Sequence, residues 1–159
     1  MPKLSPDEIR FTVYGEPVGK GRHRSVTRKR RGADGKMTTY IAHITPEKTE
    51  AYELRVKQAT QIALSGFNAL SGPVMLELGI YVGIAASWPK KKRLMALSGE
   101  MYPTKKPDSS NILKAIEDAM NEVAYGDDAQ ITDHYMKRRF SEVPRVEIII
   151  TPLAKAGSS

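Results

Sequence analysis

The segment from residue 74 to residue 84 constrains the fold most, because apolar side chains occupy every second position along it. The alternating residues are Val74, Leu76, Leu78, Ile80, Val82 and Ile84. Successive side chains of a β-strand point to opposite faces, so this period predicts a strand with one buried face. Such a strand needs neighbouring strands at its edges and an apolar layer over its buried face.

Other segments supply candidate neighbours. A half-buried strand is predicted where apolar and polar residues alternate, at Ile9, Phe11 and Val13. Ala33-Asp34-Gly35-Lys36 has the Asp-Gly chemistry of a hairpin tip, and residues 38–43 would be its returning strand. Residues 132–140 and 145–151 predict a second hairpin, turned by Glu142-Val143-Pro144.

Three helices are predicted to cover the sheet. The first begins at Thr45-Pro46-Glu47, with Thr45 as N-cap and Pro46 as the first helical residue. Its apolar residues recur at helical spacing at Tyr52, Val56, Ala59 and Ala63, and Gly66 ends it. The second is a short basic helix that follows Trp88-Pro89 and runs to about Ser98.

The third predicted helix spans residues 110–123, with Ser109 or Ser110 as its cap. Its apolar stripe consists of Ile112, Ile116, Ala119 and Val123. Together these elements predict one α+β domain with a mixed sheet over residues 1–152. Residues 153–159 are expected to form a flexible tail.

Charge narrows the choice of partner. The formal net charge is +7 and the sequence pI is about 9.6, which favours nucleic acid or another anionic surface. A soluble basic protein without such a partner is the simpler alternative. No cysteine is present, which excludes disulfides, thiolate zinc sites and cysteine nucleophiles. No apolar run approaches the roughly 20 residues that span a bilayer, so we expect a cytoplasmic protein without a membrane partner.

Basic residues cluster in four segments, of which residues 20–31 contain no acid. Four patches that face one way would bind phosphates, with a strong dependence on salt. Each patch alone could instead be a solvated face. Trp88 or Tyr40 could stack on bases, although both suit partly buried structural positions. The residues predicted to contact DNA are Lys20, Arg22, Arg24, Arg28, Lys29, Arg30, Arg31, Lys91, Lys92, Lys106 and Arg138.

Carboxylates flank the third predicted helix. Asp108 precedes it, Asp118 lies within it, and Asp127 and Asp128 follow it. Magnesium takes oxygen ligands and keeps several waters, so two or three carboxylates can hold it. Lys114 lies one turn before Asp118, where its charge could neutralise a phosphate. Each acid also has a simpler role, since Asp108 suits a helix start and residues 126–128 suit a turn.

The length of this helix raises a geometric question. At 1.5 Å per residue the helix is roughly 20 Å long, so Asp108 and Asp128 would lie at its opposite ends. Either the chain leaves the helix early and doubles back, or two copies pair about a two-fold axis. The sequence leaves both arrangements open.

Other chemistries fit less well. The early glycine-rich run lacks the Gly-Lys-Ser/Thr of a Walker A loop, and no dinucleotide fingerprint is present, so no nucleotide cofactor is expected. The three histidines, His23, His43 and His134, lack metal-ligand spacing. Asp133-His134 beside a basic strand is a weak active-site candidate.

The central motif resembles the RusA family of Holliday junction resolvases, which is common in phages and prophages. The residues that carry the resemblance are Lys106-Pro107-Asp108-x-x-Asn111-x-x-Lys114-Ala115-x-x-Asp118-Ala119-Met120-Asn121 and Tyr125-x-Asp127-Asp128-x-Gln130-Ile131. Two weaker matches are Gly15-x-Pro17-x-x-Lys20-x-Arg22 and Trp88-Pro89-Lys90-Lys91-Lys92-Arg93.

The resemblance implies a homodimer that cuts four-way DNA junctions with Mg²⁺, for which Mn²⁺ can substitute. It places catalytic roles on Asp108, Lys114 and Asp128, and metal binding on Asp108, Asp127 and Asp128, with Asp118 as a further candidate. The family's second aspartate falls on Ser110, next to the matching Asn111. Asp118 or Asp127 could complete the site, the metal could bind through waters, or activity could be impaired. The alternative is a basic junction-binding protein with a degenerate active site.

Overall fold

The computed structural model describes residues 6–21, 24–44 and 46–154. A four-stranded sheet and a separate two-stranded hairpin are joined by helices. In chain order the elements are β1 (Ile9–Tyr14), β2 (Arg24–Arg31), β3 (Met37–Ile44), α1 (Glu47–Ala63), β4 (Val74–Val82), α2 (Lys90–Ser98), α3 (Ser109–Met120), β5 (Ile131–Phe140) and β6 (Arg145–Pro152). A single 3₁₀ turn, Asp128–Gln130, leads into β5. The predicted α+β class is confirmed.

The large sheet is mixed, as predicted, and has the strand order β1-β6-β4-β5. β4 pairs with β5 in parallel and with β6 antiparallel, and β6 pairs antiparallel with β1. The alternation that predicted β4 is also its burial pattern, because Val74, Leu76, Leu78 and Ile80 are buried. The strongest sequence signal therefore marks a central strand.

The predicted hairpin of residues 132–151 is wrong. Both strands form, but they lie on opposite sides of β4 instead of pairing with each other. Burial explains the difference. β6 buries Val146, Ile148 and Ile150 and suits an inner position, whereas β5 is exposed from Thr132 to Tyr135 and suits an edge. Alternation predicted the strands but carried no information about their partners.

α1 and α3 pack together over one face of this sheet. Tyr52 and Val56 from α1 meet Ile112, Ile116 and Met120 from α3 in the core. α3 ends at Met120, so Met120 occupies the last position of its apolar stripe and Val123 lies beyond the helix. Burial of this stripe fixes which face of α3 is turned to solvent.

Two predicted caps differ from the structure. α3 is capped by Asp108, not by Ser109 or Ser110, because Ser109 is already helical. α1 begins at Glu47, with Pro46 in the cap position instead of the first turn. Thr45, the predicted cap of α1, lies outside the described residues, as does the tail from residue 155.

The first predicted hairpin forms. β2 and β3 pair antiparallel from Arg24↔Ile44 to Arg31↔Met37. At the tip Gly35 has φ +79°, a conformation that glycine adopts readily, and the Asp34 carboxylate accepts a hydrogen bond from the Lys36 amide at 3.0 Å. Within the described ranges no helix is long and apolar enough to cross a bilayer.

Ile116→Ala should lower the free energy of unfolding by about 2–5 kcal/mol, because it opens a cavity between α3 and the sheet. Ile62→Ala is the matched control, since Ile62 on α1 is 75% exposed. Its effect should stay within about 0.5 kcal/mol. Urea denaturation followed by circular dichroism measures both. Equal effects would contradict the packing of α3.

Candidate active site

Asp108 lies at the start of α3, where its carboxylate caps the helix and is also a candidate for the chemistry of the site. Its Oδ1 atom accepts hydrogen bonds from the Asn111 amide at 2.9 Å and from the Ser110 hydroxyl at 3.1 Å. Among the described residues no hydrogen bond ends on Oδ2. Hydrogen bonds to Oδ1 thus orient the carboxylate, while Oδ2 accepts none from the described residues.

The environment of Asp108 favours the ionised form. The Asn111 amide lowers the pKa of this carboxyl most, followed by the Ser110 hydroxyl, and the charges of Lys106 and Arg138 add to the effect. An exposed, ionised carboxylate between two cations suits either a divalent metal or a hydrogen-bond network.

Asp118 has different neighbours. Its carboxylate forms ion pairs with Lys114 at 3.3 Å and with Lys20 at 3.1 Å, and Lys20 also pairs with Glu53 at 2.5 Å. Burial lowers the pKa of Lys20, but its hydrogen bonds to Glu53 and Asp118 outweigh that effect and raise it overall. Two ammonium groups already neutralise Asp118, which makes it a weaker metal ligand than a free carboxylate.

Lys20 therefore links the N-terminal segment to α3. Its backbone amide donates to the Asn111 carbonyl at 2.9 Å, in addition to the side-chain ion pairs. Lys20 was predicted to contact DNA, and the structure places its ammonium among carboxylates. Lys114 is more open, with a side chain 56% exposed.

The acids that follow α3 lie in a tightly bonded turn. Asp127 accepts a hydrogen bond from the Ala129 amide at 3.0 Å, and Gln130 accepts from the amides of Gly126 and Asp127. The Ala129 amide, and then a hydrogen bond with the Asp128 carboxyl, lower the pKa of Asp127. Gln130 also donates to the carbonyls of Leu70 and Gly72, so the turn is anchored to the domain.

Tyr125 places this turn beside the C-terminal half of α3. Its hydroxyl donates to the Glu117 carbonyl at 3.2 Å. Burial raises the pKa of this hydroxyl, and the negative charges of Glu117, Asp128 and Asp118 raise it further. Asp128 is therefore close to the last turn of α3, far from Asp108 at the first.

β5 then returns along α3. His134 contacts the Glu117 carboxylate at 2.7 Å, and Arg138, four residues on, donates to the Lys105 carbonyl at 2.7 Å near the helix start. The chain thus doubles back only after Asp128. α3 spans about 18 Å, and across the described ranges no three His, Asp or Glu side chains gather so as to hold a metal. One protomer does not bring the predicted metal ligands together.

The sequence did not indicate Glu53, Glu117 or Tyr125 as partners of these residues. All three contacts are tertiary, and no local spacing encodes them. The sequence offered Asp133-His134 as a weak active-site candidate. In the structure the His134 side chain contacts the Glu117 carboxylate.

The predicted DNA contacts fall on several elements. Arg28, Lys29, Arg30 and Arg31 are exposed on β2, and the Arg30 guanidinium lies 5.9 Å from the Tyr40 ring centre. Lys91 and Lys92 lie in the first turn of α2, and Lys106 and Arg138 lie near Asp108. Arg22 and the side chain of Arg24 lie outside the described residues.

Exposed cations on a hairpin and carboxylates near both ends of one helix are charges that suit contact with nucleic acid. Residues 14–151 match the model of the family described as endodeoxyribonuclease RusA. The uncharacterized protein YqaN of Bacillus subtilis (strain 168) is 36% identical over 150 residues, covering 91% of this chain and 96% of that protein. The chain belongs to the RusA endodeoxyribonuclease family.

Ser110→Ala should raise the pKa of Asp108 toward its ordinary value, because one of two hydrogen bonds to Oδ1 is lost. Since the folded pKa is depressed, the stabilisation from Asp108 is complete above the ordinary pKa of 3.8 and disappears as pH falls through the folded value. NMR titration of the carboxyl carbon measures the shift. Ser109→Ala, which leaves both hydrogen bonds intact, should not move it.

Proposed function

We propose that this protein is a homodimeric endonuclease that cuts four-way DNA junctions by metal-dependent hydrolysis. The observation that carries the proposal is the pair of acids, Asp108 and Asp128, at the two ends of α3 in a RusA-family chain. The family supplies the reaction class, and the residues along α3 supply the chemistry.

The residues fit Mg²⁺ by donor type and charge. Magnesium prefers carboxylate oxygens and retains water, and Asp108 is an exposed carboxylate with a lowered pKa and an oxygen not used by the helix cap. Asp128, with Asp127 assisting, would supply the other oxygens. Asp127 suits this role better than Asp118, whose charge is already neutralised by Lys20 and Lys114.

We further propose that each metal site is shared between two subunits. Asp108 caps the first turn of α3, whereas Asp128 lies near Tyr125, whose hydroxyl contacts Glu117 in the last turn. Acids at different ends of this helix would not reach one ion within a protomer. If two α3 helices pair antiparallel about a two-fold axis, Asp108 of each subunit lies beside Asp128 of the other. The dimer then has two equivalent sites. Two equivalent sites match a junction that has two equivalent strands.

Bound Mg²⁺ would supply an activated water and stabilise the leaving oxygen. Lys114, which is exposed on the face of α3 that carries Asp118, would contact the scissile phosphate and neutralise its developing charge. Its ion pair with Asp118 orients the ammonium before DNA arrives. The cations of β2, α2 and residues 106 and 138 would contact the junction's phosphates.

Asp108→Asn and Asp128→Asn should each lower cleavage of a synthetic four-way junction in Mg²⁺ by about 100-fold or more, because each removes a metal ligand. Asp7→Asn, an exposed acid before β1, is the matched control and should cleave at the wild-type rate. Junction binding that persists in chelator, without cleavage in Mg²⁺ or Mn²⁺, would instead support a non-catalytic binding protein.

A heterodimer tests whether sites are shared. Asp108→Asn and Asp128→Asn chains, co-expressed with different tags and purified through both, should form one intact and one doubly altered site. This heterodimer should nick one strand at about half the wild-type rate, although both homodimers are inactive. Two sites each confined to one subunit would leave the heterodimer inactive.

A further inference from the structure

A cavity of about 340 Å³ opens next to Asp108. Lys106 and Pro107, the two residues before Asp108, form part of its wall. The ends of β4 and β5, the start of α2, and the segment of residues 101–105 also line it. Its volume lies at the lower end of the range for small-ligand sites, about 300–1,000 Å³. None of the proposed steps of phosphate hydrolysis uses this cavity.

Three aromatic rings, those of Trp88, Tyr102 and Phe140, contribute to the apolar part of the lining. Trp88 and Phe140 pack edge to face, with ring centres 5.3 Å apart and planes at 68°. Tyr102 lies at the rim with its side chain 56% exposed. The Arg139 guanidinium lies 4.7 Å from the Tyr102 ring centre. A planar aromatic ligand that enters here would therefore meet both aromatic rings and cations.

Cations form the polar part. Lys92 lies 4.0 Å from the Trp88 ring centre, and Lys105, Lys106 and Arg138 also line the cavity. The single acid of the lining is Glu16, so the lining carries a net positive charge. The Nε atom of Arg138 is buried and has no acceptor among the described residues, a donor that a bound polar group could satisfy.

We propose that this cavity binds one nucleobase, turned out of the stack next to the phosphate that reaches Asp108. The inference rests on the proposed function, which brings a DNA strand to Asp108. Aromatic walls suit a base, and the cations suit its flanking phosphates. Because Pro107 lines the cavity and Asp108 follows it directly, a strand bound at Asp108 passes the cavity mouth. Unstacking is easiest where pairing is already disturbed, as at a junction.

Trp88 makes the cavity directly observable, because it is the only tryptophan of the chain. The probes are a thymidine oligonucleotide and an oligonucleotide of equal length built entirely from abasic nucleotides, both in chelator so that no cleavage occurs. The thymidine strand should quench Trp88 fluorescence by stacking, and the abasic strand should bind with little quenching. Equal quenching by both strands, or binding of both without quenching, would overturn the proposal.

Substitutions of Tyr102, at the rim of the cavity, distinguish binding by base stacking from binding by charge. Tyr102→Ala should weaken binding of the thymidine strand about tenfold, within the range for one stacked base, and leave the abasic strand unaffected. Tyr102→Phe keeps the ring and should bind both strands like the wild type. Tyr14→Ala removes an equally exposed tyrosine, 63% accessible, away from the cavity and should change neither affinity. Equal losses for both strands in Tyr102→Ala would contradict base stacking.

Failure of this inference is distinguishable from failure of the proposed function. Asp108→Asn should lose cleavage but retain base-dependent quenching of Trp88, because it leaves the cavity intact. Junction cleavage without base-dependent quenching would refute the cavity's role alone. Base-dependent quenching in a wild-type protein that cuts no junction would refute the nuclease and retain the nucleobase site.

Discussion

The apolar stripe of α3 is the constraint on which the site depends. Ile112, Ile116 and Met120 are fully buried against the sheet and α1, so the helix cannot rotate about its axis without exposing them. That burial turns Lys114 and Asp118 toward the opposite, polar side, next to Lys20. The arrangement of charge therefore follows from packing, although none of the charged groups contributes much to the core.

A second constraint is the close approach of the N-terminal segment to α3. A Cβ atom on Gly19 would come within 2.7 Å of the Pro107 side chain, and one on Gly21 within 2.5 Å of Pro46. Only glycine permits this approach. It brings the Lys20 amide to the Asn111 carbonyl and the Lys20 ammonium to Asp118. The early glycine-rich run, which lacks a Walker A sequence, thus has a packing explanation in this fold.

The sequence predicted what depends on local pattern and missed what depends on distant partners. β4, α2 and the β2–β3 hairpin follow from alternation, helix-start chemistry and an Asp-Gly turn, all of which act within a few residues. The pairing of β5 with β4 depends on which strand is apolar enough for the sheet interior, a comparison across the whole chain. Likewise, the Lys114–Asp118 contact follows from helical spacing, whereas the Lys20–Glu53 and His134–Glu117 contacts join segments that only the fold brings together.

The departure at Ser110 acquires a physical meaning from the geometry of Asp108. A carboxylate at this position would add charge but repel Asp108, and it could not donate a hydrogen bond at neutral pH. The serine hydroxyl instead donates to the same Oδ1 atom as the Asn111 amide, so two donors fix one oxygen of Asp108. Fixing one oxygen sets the direction of the other and keeps the group ionised. In the proposed metal site, the fixed orientation of Asp108 would take the place of a second acid at position 110, and the further ligands would come from Asp127 and Asp128. Because that turn follows the other end of α3, serine at position 110 would make the proposed site depend more on a second subunit.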